Sequence, residues 1–161
     1  MKILAIGTMA AAISATCGCN SIPSDYKPLC SKIASFANST SDSSTHTVEL
    51  ITDWGGRFSD NKNTIAEKTC KHGDYGPGAN LCAYLMENTS TEFPDANLNT
   101  VMVCLGAARP SELVYDLEYQ STNFWSHATN GVRPDIIVGV EYSAGSESSA
   151  PSLKIMARKD Q

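Results

Sequence analysis

Charge is scarce in this sequence, and it is not concentrated anywhere. Charged residues fill 18% of the 161 positions, and 17 acidic against 12 basic side chains leave a net charge of −5. No lysine- or arginine-rich block occurs, so electrostatic attraction to nucleic acid or to an anionic membrane is excluded as the organising function. Histidine is nearly absent: His46, His72 and His127 are the full set. None stands in HExxH or pairs with another on one helix face, which argues against a catalytic metal. The glycine-rich patterns GxGxxG and GxxxxGK[ST] are missing, and so is the GxSxG elbow, which removes the commonest nucleotide and serine-hydrolase sites. There is no internal repeat and no low-complexity tract.

What is present begins with an export signal. Lys2 supplies a short positive start, and Ile3 to Ala15 is uncharged and mostly apolar. That run is too short to span a bilayer and is followed by small residues, the pattern of a cleaved signal. Ala15-Thr16-Cys17-Gly18-Cys19 then resembles a bacterial lipobox, in which a cysteine after small residues is lipidated on cleavage. The aliphatic residue expected three positions before Cys19 is replaced by Thr16, so ordinary cleavage after Ala15 is the competing reading. The resemblance implies residues 1–18 as signal, Cys19 as the lipid attachment, and 19–24 as a tether to a domain over 25–161. Asn20 and Ser21 lack the aspartate that retains such lipoproteins in the inner membrane. The resemblance therefore implies an outer-membrane lipoprotein facing the periplasm, touching membrane only through its lipid. Cleavage after Ala15 would instead give a soluble periplasmic or secreted protein.

Cleavage before Cys19 leaves Cys30, Cys70, Cys82 and Cys104, an even set in an oxidising compartment, which reads as two disulfides. A zinc site from Cys70, His72, Cys82 and Cys104 lacks the C-x2-C knuckles of structural zinc modules, so no metal and no cofactor is expected. The preferred pairing is Cys70 with Cys82 across Gly76-Pro77-Gly78, leaving Cys30 with Cys104. Pairing Cys82 with Cys104 inside a helical hairpin is the alternative. The stretch from Cys70 to Cys104 is expected to form a stapled helical block.

Along the chain, Leu29, Ile33 and Phe36 recur at helical spacing and predict a helix over 25–37, followed by a polar loop over 38–45. Alternation over 46–52 predicts a strand, and Trp54 with Gly55, Gly56 and Arg57 a turn after it. Short helices are predicted over 63–72 and 79–88, and another from Pro94 to Leu105 with Gly106 as its C-cap. Period-two alternation then predicts strands over 112–119, 135–142 and 153–158, with one face buried and one wet. The expected fold is α+β: N-terminal and central helices on a roughly four-stranded antiparallel sheet. Residues 121–134 are expected to be a long loop carrying Phe124, Trp125 and His127.

No coherent catalytic set emerges. A Cys82–His127 pair would need a free thiol, and a carboxylate pair from Asp116, Glu118 and Glu141 is indistinguishable from any solvated sheet face. Aromatics in turns beside an arginine are instead the usual anchors of protein recognition. Trp54, Arg57, Phe124, Trp125 and His127 are thus the candidate partner-binding residues. The reading that follows is a non-catalytic envelope lipoprotein with a protein partner in the cell envelope, such as an inhibitor or immunity-type protein. A secreted hydrolase is the alternative, and a structural envelope component the third.

Overall fold

The computed structural model describes residues 22–41, 43–54, 66–106, 121–127, 131–146 and 149–160. Cys19 and Arg57, and the segments read as a signal and as a strand over 112–119, lie outside them, and so do Asp116 and Glu118. The architecture is α+β: three helices cover one face of a five-stranded antiparallel sheet, one strand more than expected. The strand order is β2-β1-β5-β4-β3. No helix among the described residues is long and apolar enough to cross a membrane.

A 3-10 turn, Ser24–Tyr26, leads into α1, Lys27–Asn38, with a proline in the first turn where its missing N–H costs nothing. Leu29, Cys30, Ile33, Phe36 and Ala37 form its buried stripe. β1, His46–Trp54, turns Val48, Leu50 and Thr52 toward the helices. β2, Ala66–Lys71, replaces the helix expected over 63–72. Its residues alternate between more and less buried, and Leu50 pairs with Cys70 in register. Pairing along β1 overrides a helical pattern that rested on only four side chains.

Gly73, at φ 56°, turns the chain tightly into α2, Gly76–Asn88. Gly76-Pro77-Gly78 is therefore the first turn of this helix, where proline is tolerated. Gly78 is required by contact: a Cβ there would lie 2.9 Å from the Cβ of His72 and 3.2 Å from Cγ2 of Val48. α3, Pro94–Cys104, ends as its sequence predicts, with Gly106 at φ 70° receiving the chain. Then come β3, Ser121–His127, β4, Ile136–Ser143, and β5, Ser152–Lys159. The inward faces of β4 and β5 are Ile136, Val138, Val140 and Tyr142, and Leu153, Ile155 and Ala157.

Both preferred disulfides are present. Cys30–Cys104 ties α1 to α3, and Cys70–Cys82 ties β2 to α2. Two disulfides fit an exported protein, since they persist in oxidising compartments. The helix ends are fastened to distant chain. Asn38 donates through Nδ2 to the Gly131 carbonyl at 2.8 Å and accepts from the Arg133 N–H at 2.7 Å. The Arg133 guanidinium donates to the Asn38 and Thr40 carbonyls, both at 3.3 Å, and to both oxygens of Asp135. A cation there suits the negative end of α1. At the end of α2, Lys68 Nζ donates to the Thr89 carbonyl at 2.7 Å, and burial pushes its amino group below the usual lysine value.

Candidate functional site

The helices occupy one face of the sheet, so the candidate surface is built on the other. Its rows follow from strand register. One row runs Lys71, Glu49, Lys154, Glu141 and Asn123 across all five strands, alternating in charge until it reaches β3. Within it, Lys154 Nζ donates to Glu141 Oε1 at 2.7 Å, and that bond holds the lysine above its ordinary value. Both side chains are partly exposed, so the pair contributes little stability and mainly fixes orientation.

The next row is apolar. Thr47, Met156, Gly139 and Trp125 stand opposite one another on β1, β5, β4 and β3. Trp125 reaches across the strand gap and covers Gly139 so closely that a Cβ on the glycine would lie 2.7 Å from the indole ring. A glycine inside a strand weakens it, and an aromatic laid over the gap restores the packing. Met156 and Ile137 are almost completely covered on this face, at 8% and 9% exposure, while Trp125 remains 36% exposed.

Above the indole sits Arg158, its guanidinium carbon 4.8 Å from the ring centroid. In the adjoining row Arg158, Ile137 and His127 face one another on β5, β4 and β3. His127 Nε2 lies 3.6 Å from Asp160 Oδ2, an ion pair whenever the imidazole is protonated. The result is a patch with a covered apolar floor of Ile137 and Met156, an exposed indole, and charged groups along its border.

The expected site residues separate accordingly. Trp125 and His127 share the patch, two residues apart on β3. They do not belong to a loop: residues 121–127 form a strand, because seven registered pairs with β4 satisfy a backbone that a loop would leave to water. Phe124 does not share the patch. Strand alternation turns it to the opposite face, opposite Val140, where it is partly buried and packed against the core. Trp54 ends β1, far along the sheet from Trp125, and Arg57 lies outside the described residues. Sequence reasoning missed Arg158, Met156, Ile137 and Gly139 as site residues. The usable signal was Gly139, a glycine interrupting an otherwise apolar strand opposite an aromatic one.

The catalytic alternatives lose specific groups. Cys82 is bonded to Cys70, so it carries no thiol, and it lies on the helical side while His127 lies on the other. Glu141 is engaged by Lys154. Among the described residues, no cluster of three or more His, Cys, Asp or Glu is arranged to hold a metal ion.

A concavity of about 460 Å³ lies between β1 and the β2–α2 turn, lined by His46, His72, Asp74 and Tyr75 among others. His46 stacks on Tyr75 with ring centroids 3.7 Å apart and an interplanar angle of 12°. Among the described residues, Nδ1 of His72 and the Tyr75 hydroxyl have no hydrogen-bond partner, but both are sealed from solvent and so offer nothing to the cavity.

Neither a protein-family model nor a curated protein nor a solved structure matches this chain.

Proposed function

We propose that this chain is an exported envelope lipoprotein, attached through Cys19, that acts by binding another protein rather than by catalysis. The binding surface in this reading is the Trp125 patch. One observation carries it: a tryptophan held rigid across Gly139, still 36% exposed, beside an arginine and over a covered apolar floor. Rigid aromatics and arginines dominate binding energy at protein interfaces because they bury much area with little conformational freedom to lose. The lipobox resemblance and the two disulfides support the envelope as the setting, and an inhibitor or immunity-type role suits a small stapled domain.

The test is affinity capture from solubilised envelope with the full chain and with Trp125→Ala. A partner retained by the first and lost by the second supports the proposal. Equal retention by both contradicts it. Intact mass of the native protein reports the anchor: a mature chain beginning at Thr16 without lipid removes the lipoprotein part.

A further inference from the structure

The cations of the described sheet face are not equivalent. Lys154 is bonded to Glu141 at 2.7 Å, and Lys71 stands in register with Glu49. Along the neighbouring edge Arg133 holds Asp135, and Lys159 reaches the same carboxylate at 4.0 Å. Asp160 faces His127. Among the described residues Arg158 is in no ion pair, and its contact is the Trp125 ring. A guanidinium held over an aromatic ring is positioned through its charge, and its five N–H groups stay available. A lysine would not do this, because its ammonium cannot present a planar fork.

Resting on the protein-binding reading above, we infer that the partner supplies a carboxylate to Arg158. The acceptor is an aspartate, glutamate or chain terminus flanked by apolar side chains that cover Trp125. Charge complementarity selects this occupant. An acidic group entering here meets a guanidinium seated on Trp125 and engaged by no described carboxylate, while a basic group would meet like charge on Arg158. The pairing is two parallel N–H···O bonds, the geometry that gives arginine its selectivity for carboxylates. The indole beneath excludes water from one side and strengthens the contact.

The probe is a pair of capped peptides, acetyl-Gly-Leu-Glu-Leu-Gly-amide and its glutamine counterpart, titrated into the full chain. The readouts are the Trp125 indole N–H and Arg158 Nε–H resonances. The glutamate peptide is expected to shift both saturably, with binding about tenfold weaker for the glutamine peptide and for Arg158→Gln. Weakening with added salt is expected as well. Equal shifts from both peptides, or unchanged binding by Arg158→Gln, overturn the inference. So does concentration-dependent dimerisation abolished by Arg158→Gln, which would make a second copy the occupant. Capture from envelope keeps the two proposals apart. A partner lost by Trp125→Ala but fully retained by a folded Arg158→Gln leaves the protein-binding reading standing and refutes the carboxylate. A partner retained by Trp125→Ala refutes the reading beneath it.

Discussion

The indole of Trp125 and the backbone of Gly139 fit together so closely that no side chain can stand between them: a Cβ on Gly139 would approach the ring to 2.7 Å. The atoms it would meet belong to a rigid bicyclic ring and not to the end of a flexible chain. Gly139→Ala is therefore expected to lift Trp125 off the sheet at a cost of about 1–3 kcal/mol, the range for forcing extra volume into a packed site. Urea unfolding measures the loss. A downfield or upfield move of the Trp125 indole resonance reports the displacement, and an unmoved resonance with full stability would show that the ring does not need the glycine.

The two disulfides should differ in weight. Cys30–Cys104 closes a separation of 74 residues and Cys70–Cys82 one of 12. In the chain-entropy picture these are worth about 4 and about 3 kcal/mol respectively, because a longer loop restricts the unfolded chain more. Cys30→Ser with Cys104→Ser is expected to lower stability more than Cys70→Ser with Cys82→Ser. Denaturant midpoints of the two double variants, at equal slope, give the comparison.

Acid should loosen the attachment between α1 and the segment entering β4. Hydrogen bonding from Arg133, together with the charges of Arg133 and Lys159, holds the Asp135 carboxyl below its ordinary value of 3.8. A carboxylate depressed on folding stabilises the folded state above its unfolded value. That contribution is lost as pH falls through the lower, folded value. The stability of the wild type is thus expected to decline below about pH 4 more steeply than that of Asp135→Asn. Asn38→Ala, which removes the two side-chain bonds to Gly131 and Arg133, is expected to cost about 1–2 kcal/mol at neutral pH. Denaturant titrations at several pH values measure both effects.

Much of this arrangement was legible in the sequence, and the parts that were not have physical reasons. Alternation in residues 135–142 and 153–158 identified β4 and β5 and their inward faces, but the expected wet face holds only in part, since Ile137, Gly139 and Met156 on it are buried too. Helical spacing at Leu29, Ile33 and Phe36 identified α1 in the same way. The sequence favours Cys70 with Cys82 across Gly76-Pro77-Gly78 but leaves Cys82 with Cys104 open, and the structure decides for Cys70–Cys82 and Cys30–Cys104. β2 was misread because Ile65, Ala66, Thr69 and Cys70 also fit a helix, and only β1 decides between the two. β3 was misread because Ser121, Thr122, Asn123 and Ser126 are loop-like residues, and its strand character comes from β4. That second error had a functional consequence. A loop would have offered Phe124 and Trp125 together, whereas a strand divides them, sending Phe124 to the core and Trp125 outward. The seat of Arg158 above Trp125 depends on two strands that are not adjacent in sequence or in the sheet, so no local pattern announces it.

The most direct test of the patch as a protein-binding surface is site-specific photo-crosslinking in cells that export the protein. A benzophenone side chain at Asn123, exposed beside Trp125 on the same face, reports what docks there, and one at Lys32, exposed on α1, serves as the control. A single discrete adduct is predicted from position 123, absent from position 32 and lost when Trp125→Ala is added. No adduct at 123, or the same adducts from both positions, would contradict a partner seated on Trp125.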